Sequence, residues 1–448
     1  MTHSHHQYKE ILTLGFPIVV GQVGTIVLGF ADTLMIGRHS TAELAAAGLV
    51  NSIFGLTLLT YLGFSYGLTP VVGSLFGQQK TGEIGQKVKN SLIANLATGL
   101  LLVAALSVVY LNLHHMGQPA ELLPLIRPYF IVNLISVPFV GVFNTLKQLF
   151  DAITRTKVPM WVMVGGNLAN IVGNWLLIYG VGGFPELGLL GAGISTMLSR
   201  MGMAAALVAV LLAGRRYRIY RDGIARGRLN KADLAEANRL GWPVALQMGM
   251  ETAAFSLSSV MAGWLGTLAL ASHQVAITLS QPFYLVISGM AAAVSIRVSL
   301  FAGQGNPSAV RSTAYDGLRL LLSFSAILCI PLLIFRNDIG GIFTTDTAVR
   351  ATVGQICLAL AAYQFGDGLQ YTFANSLRGI ACVKPLVRYA FIAYFVINLP
   401  LGYLLGFTAG LGICGIWWAF PVGLTVAGIL YRHRFERELK KMRGKPAA

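Results

Sequence analysis

Long apolar runs recur along the whole chain, and this feature constrains the fold more than any other. Of the 448 residues, 55% are hydrophobic and only 11% are charged, which is about half the charge density of a soluble domain. A run of about 20 apolar residues can cross a bilayer as a helix. The sequence therefore predicts an all-α integral membrane protein with twelve transmembrane helices. To within about four residues, their expected starts are 11, 47, 88, 124, 158, 189, 238, 273, 312, 349, 385 and 412.

Basic residues concentrate in every second loop of this arrangement. The formal net charge is +16, and 28 of the 33 Lys and Arg residues lie in the two termini or in the loops that follow even-numbered helices. Cytoplasmic loops of membrane proteins carry such an excess. We therefore expect a multi-pass protein of the inner (cytoplasmic) membrane with both termini in the cytoplasm. The same distribution argues against nucleic acid as a partner.

The chain repeats itself at an offset of 226 residues. The stretch LGFP at Leu14–Pro17 returns as LGWP at Leu240–Pro243, and Gly77-Gln78 returns as Gly303-Gln304. Because each repeat holds an even number of helices, the two halves run parallel, as in transporters built from two lobes. We predict two six-helix lobes related by this parallel internal repeat. Their expected bounds are 1–214 for the N-lobe, 215–237 for a cytoplasmic linker, 238–432 for the C-lobe and 433–448 for a basic cytoplasmic tail.

The linker is rich in arginine, and its sequence allows two interpretations. It could lie as an amphipathic stretch on the membrane surface, where it would contact anionic lipids. It could instead be a solvated connection whose arginines serve only to orient the protein. Membrane lipids are partners of the chain in either case.

Three acids lie inside the predicted helices, namely Asp32, Glu251 and Asp367, and the repeat does not duplicate them. The residues that correspond to them at the offset of 226 are Ser258, Thr25 and Gly141. An ionised carboxylate inside a membrane is costly and usually functional. Counted from the cytoplasmic ends of their helices, Glu251 and Asp367 both lie roughly 16 Å deep. We therefore expect these two acids to share one pocket in the C-lobe.

Two carboxylates in such a pocket cannot both stay ionised without a cation, and otherwise one takes up a proton. This behaviour is typical of a sodium or proton site. The alternative is a permanent ion pair with an arginine. Arg200 is the only arginine expected deep in the membrane, and it could neutralise Asp32 but hardly all three acids.

Amide side chains accompany the acids in helix 5, in the stretch GGNLANIVGNW. Asn170 and Asn174 lie one turn apart and share a face, and Asn167 precedes them. Amide oxygens beside an acid suit a hard cation or a proton relay, although the same spacing suits hydrogen bonds between helices. In helix 10, Tyr363 lies one turn before Asp367 and points the same way.

The sequence gives little support for an enzyme. The nucleotide-binding pattern GxxxxGK[ST] and the hydrolase patterns HExxH and GxSxG are absent. His114-His115 is the one reactive pair, and it lies in an outer loop without an identifiable acid partner. We expect no catalytic residue and no cofactor. Single cysteines in apolar surroundings indicate neither a zinc site nor a disulfide: Cys329, Cys357, Cys382 and Cys414.

Four stretches together resemble the multidrug and toxin extrusion (MATE) family, NorM-type branch, and the resemblance covers the whole chain. Helix 1 contains GFPIVVGQVGTIVLGFADTLMIGRHSTAELAAAGL, and helix 7 contains QMGMETAAF. Helix 8 closes with AAAVSIRVS, and helix 10 contains YQFGDGLQYTFANSLRG. The resemblance implies an antiporter that exports amphipathic, mostly cationic compounds as Na⁺ or H⁺ enters, by rocking of its two lobes. We expect it to act as a monomer.

The resemblance also implies roles for particular residues. A C-lobe site for the coupling cation, Na⁺ or H⁺, would be formed by Glu251, Asp367 and Tyr363. A polar cluster of the N-lobe would be formed by Asp32, Asn170, Asn174 and Thr196. Gln281, directly before the helix-breaking Pro282, is the candidate substrate contact.

Two other functions remain open at this point. A flippase for a lipid-linked saccharide shares the two-lobe plan, but it would need a strongly cationic cavity, and the intramembrane charges here are mainly acidic. A polytopic membrane enzyme has still less support. The choice between Na⁺ and H⁺, and which lobe carries the coupling, cannot be made from the sequence.

Overall fold

The structure is a computed structural model that describes residues 2–115 and 119–443, and these residues form helices and loops with no β-strand. The N-terminal half contains α1 (Thr2–His39), α2 (Thr41–Ser65), α3 (Leu68–Gly77), α4 (Thr81–Leu111), α5 (Leu123–Ala152), α6 (Lys157–Tyr179) and α7 (Gly188–Ala213). The short α8 (Arg218–Arg226) follows. The C-terminal half contains α9 (Lys231–Trp264), α10 (Thr267–Gly303), α11 (Pro307–Ile334), α12 (Thr347–Gly379), α13 (Lys384–Phe391), α14 (Leu399–Tyr403) and α15 (Gly412–Arg443).

These helices follow the predicted plan of twelve spans. In the described part of the chain, ten segments are long and apolar enough to cross a membrane, with α2 and α3 counted as one and α13 and α14 as another. The two remaining long helices, α9 and α12, have 34 and 33 residues but are more polar. They are the helices that carry Glu251 and Asp367. The all-α prediction is confirmed, and its two most polar spans hold the predicted acid pair.

Several helices start earlier than expected. We predicted starts near residues 11, 88 and 238, whereas α1, α4 and α9 begin at Thr2, Thr81 and Lys231. The expected error of about four residues was therefore too small. The sequence estimate followed the apolar run, but each helix continues through a polar turn outside it, where water and headgroups can solvate the side chains. Residues 444–448 of the predicted basic tail lie outside the described residues.

The backbone repeats at the same offset as the sequence. Helices α3 and α10 end at Gly77 and Gly303, and α4 and α11 begin at Thr81 and Pro307, so both pairs differ by 226. The turns between them also correspond, because Gln79 has φ 62° and Gly305 has φ 65°. That left-handed conformation favours glycine, yet the first repeat adopts it with glutamine. The geometry of the turn is therefore kept although its residue differs.

The chain forms two compact units. The first unit is Val20–Ala245, and the second unit is Met1–Val19 together with Leu246–Ala448. Helix α1 is therefore divided between the units: its first turns belong to the second unit and its remainder to the first. Helix α9 is divided in the opposite way. The N-lobe and C-lobe bounds predicted at 214 and 238 stay a prediction, because they divide the chain by sequence rather than by packing.

Equivalent side-chain contacts fix the first turns of α1 and α9. In the second unit, Thr313 Oγ1 of α11 donates to Gln7 Oε1 of α1 over 2.9 Å. In the first unit, Lys87 Nζ of α4 donates to Asp233 Oδ1 of α9 over 2.7 Å. Both residues of the first contact lie at an offset of 226 from those of the second. The contact is therefore part of the repeat, with a neutral hydrogen bond in one unit and an ion pair in the other.

Each unit is centred on one of two corresponding helices. In the first unit α5 is central, and its Phe130 contacts Phe54 of α2 edge to face at 5.0 Å between ring centroids. In the second unit α12 is central, and its Tyr363 lies against Trp417 and Phe420 of α15. The predicted acid Asp367 therefore lies on the central helix of its unit.

The linker packs closely on α4, within the first unit. A Cβ atom added at Gly85 of α4 would lie 2.4 Å from the carbonyl carbon of Gly223 in α8. Lys89 Nζ donates to the Gly227 carbonyl over 2.8 Å, and Asn90 Nδ2 donates to the Arg228 carbonyl over 3.1 Å. Residues 231–237, which were expected to belong to the linker, are the first turns of α9.

This close approach makes a testable prediction about Gly85. We expect Gly85→Ala to lower the stability of the folded protein by about 1–3 kcal/mol, because backbone atoms of α8 cannot move aside as a side chain can. The matched control is Gly82→Ala, three residues earlier on α4, where an added Cβ meets nothing within 4 Å. The measurement is thermal unfolding of both variants in one detergent. If the Gly85 variant were as stable as the control, the close packing of α8 would be wrong.

Candidate functional site

The second unit brings Glu251 and Asp367 together in its interior. Glu251 of α9 is 8% exposed and Asp367 of α12 is 1% exposed. The two carboxyl groups are close enough to interact electrostatically. The sequence predicted that these acids share a pocket because they lie at the same depth, and the structure brings them into one cluster.

Most oxygen atoms of this acid pair lack a hydrogen-bond donor. Tyr371 donates its hydroxyl to Glu251 Oε1 over 2.9 Å. Among the described residues, Glu251 Oε2 and both carboxylate oxygens of Asp367 are buried without a partner, as are both polar atoms of Gln364. Buried polar groups in folded proteins are almost always hydrogen-bonded. Three unpaired carboxylate oxygens therefore indicate a site that a cation or protons complete.

Tyr363 belongs to the same cluster, as predicted from its position one turn before Asp367. Its ring is held by edge contacts with Phe255 at 6.3 Å and with Phe420 at 6.1 Å between centroids. Its hydroxyl interacts electrostatically with both acids. The aromatic contacts fix the apolar part of the side chain, so the hydroxyl is held at the acid pair.

Arg378 is a second arginine close to a predicted acid. From the sequence we counted it among the basic residues that follow even-numbered helices and did not connect it with Glu251. In the structure Arg378 is part of α12 and is 8% exposed, and it donates to Asn375 over 3.2 Å and to Gln247 over 3.3 Å. It also interacts electrostatically with Glu251. A buried positive charge therefore lies near the acid pair, on the same helix as Asp367.

The first unit contains the second predicted cluster. Asn174 Nδ2 donates to Asp32 Oδ1 over 2.5 Å, and Asn170 Nδ2 donates to Thr196 Oγ1 over 3.2 Å. With its amide group turned over, Asn170 would instead donate to Asp32 Oδ1 over 3.3 Å. Asn174 Oδ1 and Asn167 Nδ2 are buried without partners among the described residues. The four predicted residues thus form one polar cluster that has hydrogen-bonding capacity to spare.

This cluster borders a cavity of about 350 Å³ inside the first unit. The charged residues in its wall are Asp32 and Arg200. Arg200 donates to Ser136 over 2.6 Å and to Asn133 over 3.4 Å, and these two residues belong to α5. Arg200 therefore acts on Asp32 through space, while its hydrogen bonds go to the central helix of the unit.

Two other predicted positions lie elsewhere. Gln281 is exposed on α10 and is not among the residues that line the 350 Å³ cavity; its role as a substrate contact stays a prediction. His114 and His115 are exposed in a short 3₁₀ turn, with their ring centroids 3.9 Å apart. The four cysteines are free thiols.

Sequence reasoning missed several residues of the acid cluster. Tyr371 follows Asp367 by one turn, so the rule that selected Tyr363 would also have selected it. Gln364 and Arg378 could not be selected in this way, because their importance depends on contacts with other helices. The signal in the sequence was the stripe of polar residues along α12, which begins at Tyr363 and ends at Arg378.

The two clusters differ in what they can bind. The second unit offers two carboxyl groups and tyrosine hydroxyls, which are hard oxygen ligands that suit Na⁺ or a pair of protons. Within the described residues no group of three or more His, Cys, Asp or Glu could hold a metal ion. The first unit offers one carboxyl group that is already hydrogen-bonded, together with several amides.

Comparison with known proteins gives a consistent result. The MatE family model matches residues 17–176 and again residues 243–404, so its two matches begin 226 residues apart. The chain is 30% identical to the probable multidrug resistance protein NorM of Xanthomonas axonopodis pv. citri, over 97% of this chain and 95% of that protein. It is also 30% identical to the multidrug resistance protein NorM of Vibrio cholerae, over 96% of each.

A solved structure supports the same fold. The fold matches the outward-facing conformation of a multidrug resistance MATE family transporter with a TM-score of 0.88 and 19% identity, over 98% of this chain and 97% of that chain. At this level of identity the likeness concerns the fold alone. It confirms the predicted plan of twelve helices in two repeats.

The unpaired oxygens of Asp367 make a prediction about stability. We expect Asp367→Asn to stabilise the protein by about 1–3 kcal/mol in sodium-free alkaline buffer, because a buried carboxylate without donors costs more than a neutral amide. The control is Asp316→Asn, since buried Asp316 accepts hydrogen bonds from Ser312 at 3.0 Å and from Arg319 at 3.2 Å. That variant should be less stable than wild type. Equal losses in both variants, measured by thermal unfolding, would mean that Asp367 is a structural residue.

Proposed function

This chain belongs to the MatE family, and we propose that it is a secondary active antiporter that exports amphipathic, mostly cationic drugs or toxins. The names of its NorM relatives support multidrug export. The observation that carries the coupling part of the proposal is the acid pair, with three buried carboxylate oxygens that have no donor. In this proposal the protein lies in the inner membrane with both termini cytoplasmic and acts as a monomer.

The coupling cation binds between Glu251 and Asp367. Two buried like charges repel each other, so the pair favours either a shared Na⁺ or the uptake of protons. Tyr371 already donates to Glu251, which orients one carboxylate, and Tyr363 supplies a second hydroxyl beside Asp367. Na⁺ and H⁺ compete for the same oxygens in this arrangement, so either ion could drive export.

The Asp32 cluster is the corresponding site of the first unit. Asn174 holds Asp32, and Asn170 with Thr196 completes the group. Arg200 offsets the single acid of this cluster, whereas Arg378 offsets one acid of two, so this cluster binds a cation more weakly than the acid pair does. We therefore assign the main coupling role to Glu251 and Asp367, and a secondary one to Asp32, Asn170, Asn174 and Thr196.

Occupancy of the acid pair drives alternating access between the two lobes. A ligand shifts a conformational equilibrium only by its difference in affinity between the two states. A cation that neutralises the acids favours the state with a closed, dry pocket. Its release favours the state in which water or a cationic substrate can compensate the charge.

The acidic character of the sites supports a cationic cargo over the alternatives. A saccharide flippase would need positive side chains for a pyrophosphate group, whereas the guanidinium of Arg200 is engaged by Ser136 and Asn133. An enzyme would need a reactive cluster, and His114-His115 lies exposed in a turn. Neither alternative has an observation in its favour.

Transport in cells tests the direction and the cargo. We expect cells that overproduce the protein to accumulate several-fold less of a fluorescent cation such as ethidium than cells with an empty vector, because export lowers the steady-state level. The control is the Glu251→Gln variant at the same level in the membrane. Equal accumulation in all three strains would contradict multidrug export and favour the flippase.

Transport in proteoliposomes tests the acid pair as one unit. We expect Glu251→Gln and Asp367→Asn each to reduce sodium-driven export to the level of empty liposomes, since the amides keep the size but remove the charge that balances the ion. The double variant should be no worse than either single one, because residues that act as a unit are not additive. Sodium and pH gradients are imposed separately, and the apparent sodium affinity of wild type should weaken as the pH falls. Full sodium-driven export by either single variant would move the coupling role to Asp32.

A further inference from the structure

The segment from Arg215 to Arg228 contains six arginines and one acid, Asp222. The positive-inside rule explains why such charge lies in a cytoplasmic loop, but it requires only the number of charges. It does not require that the charges have a fixed position. In the structure, contacts with α4 fix this segment, and the proposed transport function assigns it no role.

Contacts with the first three turns of α4 fix the position of this segment. Gly85 and Gly223 approach so closely that neither backbone leaves room for a side chain. The carbonyl groups of Gly227 and Arg228 accept hydrogen bonds from Lys89 and Asn90. Asn90 Oδ1 also accepts a bond from the backbone N–H of Asn230 over 2.9 Å. These contacts therefore favour an ordered stretch on the membrane surface over a solvated connection between the lobes.

This packing decides which side chains point outward. Tyr217 and Tyr220 are buried against the first unit, at 9% and 7% exposure. Arg215, Arg216 and Arg218 are exposed. Apolar side chains are exposed with them, since Leu212 and Ile219 are 52% and 46% exposed. The segment thus exposes arginines and aliphatic residues together, and Ile219 also borders a groove that Glu83 of α4 and Asp222 line.

Most of these arginines have little competition from acids of the protein. Within the described residues no ion pair or hydrogen bond engages the side chains of Arg215 and Arg216. Arg218 lies 3.5 Å from Asp222, but both side chains are exposed, at 76% and 37%. An ion pair that is open to solvent contributes little. The three guanidinium groups are therefore available to an external anion.

Two candidate membrane spans end close to these side chains. Helix α7, a candidate membrane span, ends at Ala213, two residues before Arg215. Helix α4, another candidate span, begins at Thr81 and contacts α8 through Gly85. The segment is thus placed beside the ends of two membrane-spanning helices by chain connection and by direct contact.

We propose that Leu212, Arg215, Arg216, Arg218 and Ile219 form a binding surface for an anionic phospholipid. Guanidinium groups bind phosphate with paired hydrogen bonds, and the two aliphatic side chains contact the acyl chains below the headgroup. A soluble phosphate would satisfy the arginines but would leave the aliphatic residues exposed to water. The surface therefore fits a lipid headgroup with its chains better than a free anion.

The test uses purified, delipidated full-length protein and measures binding of phosphatidylglycerol and phosphatidylcholine by native mass spectrometry. The test variant carries Arg215→Gln, Arg216→Gln and Arg218→Gln. Each arginine near an anionic surface contributes about fivefold in affinity, so the variant should bind phosphatidylglycerol on the order of 100-fold more weakly. The control removes three exposed charges of α15, through Arg437→Gln, Lys440→Gln and Arg443→Gln, and should bind as wild type does.

A second variant keeps every charge, so that membrane insertion is not disturbed. Ile219→Ser should weaken phosphatidylglycerol binding by about fivefold, because it removes partly exposed aliphatic area, and should leave binding of glycerol phosphate unchanged. Equal losses in the two triple variants would overturn the proposal, as would equal binding of phosphatidylcholine. If glycerol phosphate competed as strongly as the intact lipid, the surface would be a site for soluble anions and the proposal would be wrong.

Discussion

A bilayer offers no hydrogen-bond partner to a backbone N–H or C=O group, so each span must satisfy its own backbone. This constraint makes the chain helical, and it leaves side-chain shape to decide how the helices pack. Close approach then depends on small residues. A Cβ at Gly15 would lie 2.5 Å from Met290 Sδ, and one at Gly241 would lie 2.7 Å from an aromatic carbon of Phe64. These two glycines correspond at the offset of 226, so both repeats have a close contact between helices at the same position.

The acid pair is the place where this apolar interior is interrupted. The helices that carry it, α9 and α12, are more polar than the ten apolar spans, and contacts with neighbouring helices hold them in place. The aromatic residues around Tyr363 and the ion-pair and hydrogen-bond contacts of the first turns of α9 hold the backbone on both sides. A rigid surrounding keeps carboxylates without donors in place, because a flexible one would rearrange to satisfy them. In the proposed mechanism a cation then completes the site.

The sequence allowed a good prediction of the fold and of the acids, for reasons that can be stated. Depth along a helix follows from counting residues, which is enough to bring Glu251 and Asp367 to one level. Helix ends were less predictable, because a polar segment such as Thr81–Lys89 lacks an apolar run, although it continues α4 and packs on α8. Arg378 was assigned to a loop because its burial depends on Gln247, 131 residues away. The packing of the first turns of α1 in the second unit was not predictable either, since Gln7 contacts Thr313, which lies 306 residues later in the chain.

The repeat distinguishes residues that hold the helices together from residues with a proposed role in transport. Contacts that hold the scaffold recur at the same offset, as Gln7 with Thr313 and Asp233 with Lys87 do. The acids do not recur, and neither does Arg200, whose counterpart at that offset is the uncharged Val426. Two sites that arose by duplication would respond to an ion in the same way, and neither would bias the protein toward one state. In the proposed mechanism the ion acts on the two units unequally, because the second carries two acids with unpaired oxygens beside Arg378 and the first carries one acid opposed by Arg200. That inequality is what a coupled exchange requires.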